Sequence, residues 1–233
     1  SDMENKDAGL QVETSGESYL DDKLEEKHSK ESKPMVLVVE DNPEMLAFIE
    51  RQLSSQYAVI TATNGKEALE ALDSNFVNLV VSDVVMPLMD GFELCKTIKS
   101  NVGYSHIPII LLTAKTNIQS KIEGMELGAD AYLEKPFNAE ELNIRITKLL
   151  EQRRLLREKY SKAMREGTEL NVKLNPADQD FLARLNDYIY ALISNHGLNS
   201  DMVDDKMCMS RSQLNRKVRA ITGYNTSAYT LIS

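Results

Sequence analysis

Short apolar segments alternate with helix-like segments between residues 35 and 135, and this alternation constrains the fold more than any other feature of the sequence. The apolar segments are mostly rich in β-branched residues, and the stretches between them have helical spacing, as in Met45, Ile49 and Leu53. Strands that are buried on both faces read as continuous apolar runs, and strands that alternate with helices form parallel sheets. The sequence therefore predicts an α/β fold with a five-stranded, doubly wound parallel sheet. The predicted strands are MVLVVE (35–40), YAVITA (57–62), VNLVVSD (77–83), IPIILLTA (107–114) and AYLEK (131–135).

Polar residues lie at the carboxyl ends of four of these five strands. In a doubly wound sheet, ligands bind in the crevice at this edge. A single acid at a strand end can be a simple cap, but reactive residues at four strand ends together favour a functional site. They are Glu40 and Asp41 after the first strand, Asp83 after the third, Thr113 in the fourth and Lys135 in the fifth.

These residue types suit phosphoryl transfer. The carboxylates supply hard oxygen ligands for Mg²⁺. With metal charge beside it, the carboxylate of Asp83 can act as a nucleophile toward a phosphoryl group. Lys135 would supply a fixed cation and Thr113 a hydroxyl donor for the transferring oxygens. A salt bridge in which Lys135 neutralises the acids is compatible with this chemistry.

Residues 34–150 resemble the receiver domain of two-component response regulators, which has a flavodoxin-like fold. The resemblance implies that Asp83 accepts a phosphoryl group from a histidine kinase, with Thr113 and Lys135 assisting. The domain would then catalyse its own phosphorylation and dephosphorylation but would act primarily as a signalling switch. Five motifs at family spacing carry the resemblance: Glu40-Asp41, Asp83 in SDVVMPLMDG, Thr113 in LLTAK, Tyr132 in the fifth strand and Lys135 in EKPF.

The same resemblance implies a metal site and a switch. Glu40 stands where many members of the family have Asp. Phosphorylation adds about −1.5 to −2 charge units, and Thr113 would turn toward the new oxygens while Tyr132 fills the space that it leaves. This change would bias the face formed by residues 114–130 and the fifth strand, where we expect a partner or a second copy of the chain to bind. The implied Mg²⁺ ligands are Glu40, Asp41, Asp83 and the backbone carbonyl of Val85.

A long helix is predicted from about residue 138 to Gly167. Its apolar residues follow alternating four- and three-residue steps for about three heptads, with Arg153 in one polar slot. Two interpretations remain open. The first half packs on the sheet and residues 151–178 form a solvated helical linker, or the helix pairs with a second chain as a parallel coiled coil. The apolar positions are Leu142, Ile146, Leu149, Leu156, Tyr160 and Ala163.

Residues 179–233 resemble the N-terminal half of an AraC-type DNA-binding domain. The resemblance rests on a scaffold helix in DQDFLARLNDYIYALISNHG, closed by Gly197, and a helix-turn-helix in MSRSQLNRKVRAITG. Ser210 would cap the second helix of that motif and Gly223 would end it. A small helical domain with a basic outer face is the alternative. The implied base contacts are Arg211, Ser212, Gln213 and Arg216, and the implied phosphate contacts are Asn215, Lys217 and Arg219.

An AraC-type unit normally has two helix-turn-helix motifs, and this chain ends before the second. We therefore expect the parent protein to bind DNA, and this chain to bind it weakly or not at all. A receiver followed by such a unit resembles the C-terminal part of hybrid two-component sensors, in which the histidine kinase lies on the same chain. The main alternative is a receiver that works only through protein contacts.

Two enzyme classes with similar strand–helix patterns fit poorly. A dinucleotide-binding enzyme would have Gly-x-Gly-x-x-Gly after the first strand, and none is present. A haloacid-dehalogenase-type phosphatase would have a second acid two residues after the nucleophile, where this sequence has Val85.

Charge and composition divide the chain in the same way. Residues 1–33 are polar and acidic, which predicts a disordered linker. Residues 151–233 carry 13 lysine and arginine residues against 10 acids, so a surface that binds a polyanion is expected there. Two distant cysteines indicate reduced thiols, and the sequence has neither a signal peptide nor an apolar run of membrane length. We expect a cytoplasmic location, either as a soluble protein or as part of a membrane-anchored sensor.

Overall fold

Five parallel strands form one sheet in the computed structural model, in the order β2–β1–β3–β4–β5. The structure describes residues 33–114, 128–168, 174–194 and 206–232, although not the side chains of 192–194. The predicted doubly wound sheet is confirmed, and its strand order is the flavodoxin-like one. The strands are β1 (Met35–Val39), β2 (Ala58–Ala62), β3 (Leu79–Asp83), β4 (Ile109–Ala114) and β5 (Ala131–Lys135).

Helices cover both faces of the sheet. Helix α1 (Pro43–Leu53) packs on one face, through Ile49 and Leu53. Helices α2 (Gly65–Ser74) and α3 (Gly91–Ser100) pack on the other. Because both faces are covered, all five residues of the central strand β3 are buried. Each of the three helices begins at a side chain that accepts backbone N–H groups: Asn42, Asn64 and Asp90.

A helix of 28 residues, α4 (Ala139–Glu166), joins the sheet to the C-terminal helices. Leu142 and Ile146 pack on the α1 face of the sheet, whereas Tyr160 packs in a separate apolar cluster with the C-terminal helices. The predicted end is confirmed, since Gly167 takes a left-handed conformation with φ of 59°. The second half of α4 is therefore not fully solvated, because Leu156 and Tyr160 of its heptad pattern pack against helices of the same chain.

Three further helices, α5 (Pro176–Ser194), α6 (Arg211–Thr222) and α7 (Thr226–Ile232), surround that cluster. The predicted start and end of α6 are confirmed by a capping box at Ser210 and a left-handed Gly223. The predicted stop at Gly197 lies outside the described residues. From residue 34 onward the described residues form one compact unit, and none of its helices is long and apolar enough to cross a membrane. The buried apolar residues of this cluster include Phe181, Leu185, Leu214, Val218, Ile221 and Tyr229.

A buried ion pair lies where the α3–β4 loop meets α5 and α6. The ammonium nitrogen of Lys217 lies 2.7 Å from Asp178 Oδ1 and 2.6 Å from Ser105 Oγ, and both charged side chains are 0% exposed. Arg153 lies 3.6 Å from the other carboxylate oxygen of Asp178. Burial by itself raises the pKa of Asp178, but the charge and hydrogen bond of Lys217 outweigh burial and hold this pKa below its ordinary value.

His106, in the same loop as Ser105, makes the folded state sensitive to acid. Burial lowers the pKa of His106 to about 3, and the charge of Lys217 adds to this effect, whereas Asp178 opposes it. Arg153 and Lys99 also face the imidazole and lower its pKa. A depressed folded-state pKa stabilises the protein above the unfolded pKa of 6.5 and costs stability as the pH falls from there toward 3.

We therefore expect His106→Leu to reduce the loss of stability in mild acid. Between pH 6.5 and 5.0 the free energy of unfolding of the parent should fall by up to about 2 kcal/mol more than that of the variant. Urea unfolding followed by circular dichroism at several pH values measures this difference. Identical pH dependence of the two proteins would contradict the expectation.

Candidate functional site

Three acids meet at the carboxyl edge of the sheet, as the sequence predicted. Glu40 and Asp41 follow β1 and Asp83 ends β3, and these two strands are neighbours. One carboxylate oxygen from each of the three acids lies within 4.8 Å of the other two. Glu40 and Asp83 are buried, at 2% and 8% exposure, whereas Asp41 is exposed. The cluster therefore has two buried carboxylates behind one that faces solvent.

Lys135 lies between the two buried acids. Its ammonium nitrogen is 2.7 Å from Glu40 Oε2 and 2.9 Å from Asp83 Oδ2. Burial raises the pKa of Glu40 above its ordinary value, although the hydrogen bond from Lys135 opposes this shift. Burial by itself would lower the pKa of Lys135, but the hydrogen bonds and charges of both acids outweigh it and raise this pKa. Lys135 therefore stays protonated and neutralises part of the acidic cluster.

Backbone contacts fix the orientation of Asp83. The N–H of Val84 donates to Asp83 Oδ1 at 2.9 Å, and the N–H of Gly91 donates to the carbonyl of Val84 at 2.9 Å. The loop returns so closely that a Cβ atom on Gly91 would lie 2.1 Å from the carbonyl oxygen of Asp83. The side chain of Val85 is 75% exposed and has no oxygen or nitrogen atom. Only the backbone carbonyl of Val85 could therefore bind a cation at this edge.

The two candidate switch residues lie on the neighbouring strands β4 and β5. Thr113 is buried, and its hydroxyl donates to the carbonyl of Ala114 at 3.3 Å. Tyr132 packs against the apolar cluster under α2 and α3, and its hydroxyl is buried without a hydrogen-bond partner among the described residues. Burial raises the pKa of this hydroxyl. Residues 115–127, most of the expected dimer face, lie outside the described part of the chain.

The donor set at this edge fits a hard divalent cation. Mg²⁺ is bound by one or two carboxylates together with waters and phosphate oxygens. The buried Asp83 and the exposed Asp41 offer carboxylate oxygens of this kind, with Glu40 beside them. In the part of the chain that the structure describes, no other group of three acid, histidine or cysteine side chains has this proximity.

The candidate DNA contacts on α6 are divided between solvent and the rest of the chain. Arg211 and Ser212 are exposed and Arg219 is partly exposed. Gln213 and Arg216, by contrast, form hydrogen bonds with Tyr104 of the α3–β4 loop and with Asn75 after α2.

Two expected phosphate contacts have other roles in this structure. Lys217 is fully buried against Asp178, so its ammonium cannot contact a phosphate in this conformation. The expectation fails because Lys217 precedes Val218 and follows Leu214 by three residues, which places it on the inner face of α6. Asn215 is partly buried, and its side-chain oxygen accepts the N–H of Thr226 at 3.0 Å, which stabilises the start of α7.

The fold and the acidic strand-end site define a receiver-type signalling domain. A family model described as the response regulator receiver domain matches residues 36–147. This part of the chain is therefore a response regulator receiver domain.

Two relatives are similar to this chain over 209 and 120 residues. The chain is 34% identical over 209 residues to "Histidine kinase P4" of Formosa agariphila, a match that covers 90% of this chain and 15% of that protein. It is 43% identical over 120 residues to "Probable transcriptional regulator ycf27" of Cyanophora paradoxa, covering 51% of this chain and 49% of that protein. It thus spans half or less of each of these relatives.

A solved structure gives the same fold. A response regulator receiver domain protein from Clostridium thermocellum matches with a TM-score of 0.50 and 29% identity, covering 53% of this chain and 98% of that one.

The sequence did not reveal how Asp83 is oriented. Val84 orients Asp83 through its backbone N–H, which every residue except proline has, so the residue type gives no signal. The close approach of Gly91 has one sequence signal, the Asp90-Gly91 pair. Such pairs mark tight turns, but they do not show which backbone atom the glycine approaches.

Replacing Gly91 with alanine should therefore displace Asp83. The added Cβ atom meets backbone and not a flexible side chain, so we expect a loss of about 1–3 kcal/mol of unfolding free energy together with reduced reactivity of Asp83. Urea unfolding measures the first effect, and labelling by a small-molecule phosphodonor measures the second. Gly103→Ala is the matched control, since its nearest contact is the flexible side chain of Asn101 at 3.1 Å. Equal effects of the two substitutions would refute this role for Gly91.

Proposed function

We propose that Asp83 is the phosphoacceptor of a two-component response regulator and that a histidine kinase is the donor. The observation that supports this proposal most directly is the carboxylate of Asp83 at the end of β3, oriented by Val84 and paired with Lys135. Neighbouring oxygens of Glu40 and Asp41 complete an acidic cluster of the kind that phosphoryl transfer requires.

In the proposed reaction, an oxygen of Asp83 attacks the phosphorus of a phosphohistidine. The new O–P bond forms as the P–N bond breaks and its electron pair stays on the nitrogen, and the imidazole leaves as a neutral ring whose proton is on the other ring nitrogen. Lys135 stabilises the negative charge that develops on the phosphoryl oxygens, and the Thr113 hydroxyl then donates to one of them. Glu40, Asp41, Asp83 and the backbone carbonyl of Val85 would hold a Mg²⁺ ion, which would neutralise charge on the phosphoryl group when bound.

The proposed switch follows from the new charge beside Asp83. Thr113 leaves its hydrogen bond with Ala114 when it turns toward the phosphoryl oxygens. Tyr132, whose buried hydroxyl has no partner among the described residues, is free to settle into the space beside Thr113. The altered face of β4 and β5 then recruits a partner or a second copy of the chain.

The output of this switch is proposed to be transcriptional. The three-helix arrangement of α5, α6 and α7 and the capped, basic α6 support an AraC-type helix-turn-helix that binds DNA in the full-length parent. The relative named as a histidine kinase matches 90% of this chain, which supports a cytoplasmic position within a hybrid sensor. In this proposal the kinase activity and the DNA targets belong to the longer parent protein.

One observation favours a second candidate. Gln213, Arg216 and Lys217 of α6 all make contacts within this chain. In the second candidate the receiver works only through protein contacts, and the C-terminal helices do not bind DNA. Measurement of DNA binding at low salt separates the two.

The phosphoacceptor is tested by incubation with a small-molecule phosphodonor and Mg²⁺. We expect one phosphoryl group on the parent protein and none on Asp83→Asn, as measured by intact mass spectrometry. Asp187→Asn is the control, because Asp187 is an exposed acid on α5. Equal labelling of parent and Asp83→Asn would reject Asp83 as the acceptor.

The metal site is tested by calorimetric titration with Mg²⁺. Asp41→Asn removes the exposed carboxylate and should weaken Mg²⁺ binding by about tenfold or more, since hard cations depend on carboxylate charge. Asp187→Asn should bind as the parent does, and a chelator should stop phosphodonor labelling. Unchanged Mg²⁺ affinity of Asp41→Asn would show that the cation binds elsewhere.

A further inference from the structure

Three residues of α6 contact the receiver domain, and one of them does so through Ser105 of the α3–β4 loop. Arg216 and Lys217 follow Gln213 by three and four residues, so each of them lies beside Gln213 on the helix surface. We call these three residues, together with residues 72–76, Tyr104 and Ser105 of the receiver domain, the dock.

Arg216 makes the outermost contact of the dock. Its guanidinium carbon lies 4.4 Å from the centre of the Phe76 ring. Its nitrogens donate to the carbonyls of Asn75 at 3.0 Å, Asp73 at 3.4 Å and Leu72 at 3.5 Å. Residues 72–76 contain the C-terminal end of α2, where unpaired carbonyls and the helix dipole attract a cation. Arg216 therefore caps α2 from another part of the chain.

Gln213 makes the middle contact. Its amide nitrogen lies 3.2 Å from the hydroxyl of Tyr104 and 3.4 Å from Asp73 Oδ1. Tyr104 in turn donates a hydrogen bond to Asp73. The amide of Gln213 thus joins a pair of receiver side chains that are already hydrogen-bonded.

Lys217 makes the innermost contact, through Ser105. Ser105 is 1% exposed, accepts a hydrogen bond from Lys217 at 2.6 Å and lies 3.0 Å from Asp178 Oδ1. Asp178 belongs to α5, so both charges of the ion pair lie on the C-terminal helices. Separation of the dock would expose this pair to water without stranding either charge. Because both charges stay together on the C-terminal helices, separating this contact would cost less than isolating a buried charge.

We infer that the dock holds α6 on the receiver domain and that a docked α6 cannot bind nucleic acid. Gln213 and Arg216, two of the four candidate base contacts on α6, already form hydrogen bonds with receiver atoms. The dock itself rests on these observed contacts, whereas the exclusion of nucleic acid rests on the proposed DNA-binding function of α6.

Opening of the dock can be measured by thiol labelling of the full chain. Ser105→Cys places a thiol in the buried centre of the dock, and Cys208→Ser removes the exposed native cysteine. Mass spectrometry separates the new thiol from the buried Cys95. Phe76→Ala removes the ring under Arg216 and should accelerate labelling by about two- to fivefold. Phe76 is 51% exposed, so this substitution leaves the receiver core intact.

Ile144→Ala is the matched control, because Ile144 is an exposed apolar side chain of α4 that lines a groove with Gln52 and Gln56 of the α1 region. Labelling should be unchanged in this variant. The dock is refuted if the thiol reacts as fast in the folded parent as in urea, or if Phe76→Ala leaves its rate unchanged. Hydrogen exchange of residues 211–222, measured without any added cysteine, should also be faster in Phe76→Ala than in the parent and unchanged in Ile144→Ala.

A second measurement separates the dock from the proposed function. Binding of a random-sequence double-stranded oligonucleotide at low salt should tighten in Phe76→Ala by the factor seen in labelling, since only the open fraction binds. If labelling accelerates while DNA affinity stays at the parent value, the dock stands and the exclusion of nucleic acid is overturned. If neither the parent nor Phe76→Ala binds DNA, the DNA-binding role of α6 in this chain is overturned and the dock still stands.

Discussion

The salt bridges of Lys135 are the interaction on which the acidic site depends. Parallel strands bring Glu40, Asp41 and Asp83 to one edge, where oxygens of all three lie within 4.8 Å of one another. Like charges at this distance repel, and two of these carboxylates are buried. A protonated lysine in contact with both buried acids offsets part of this repulsion. The sheet can therefore keep a concentrated negative site before any metal binds.

Much of the receiver domain could be predicted because its determinants are local. The strands of a doubly wound sheet are continuous apolar runs, and the residues that end them must share one edge whatever the detailed packing. The positions of Glu40, Asp83 and Lys135 follow from this rule alone. Helix ends could be predicted equally well, since Ser210 and Gly223 act through the backbone beside them. The orientation of Asp83 could not be predicted, because it depends on the backbone atoms of Val84 and Gly91.

The sequence was misleading where a charged residue takes part in tertiary packing. A basic, amphipathic α6 after a capped turn favoured DNA contacts, and Lys217 was counted among them. Its burial depends on Asp178, which precedes it by 39 residues, and on Ser105 in the α3–β4 loop. No spacing rule links these three positions. The second half of α4 was likewise open to two interpretations, because a heptad pattern does not say which surface will cover it.

The acidic site around Asp83 and the dock lie at opposite ends of the same two elements. Helix α3 begins at Gly91, against the backbone of Asp83, and ends just before the loop that carries Tyr104 and Ser105. Strand β4 follows that loop and carries Thr113 near its far end. The two sites therefore share no residue, and each can be altered without changing the other's contacts. Any effect of Asp83 modification on the dock would have to pass through α3, β4 or the residues packed on them, which makes such an effect a test of coupling and not of shared contacts.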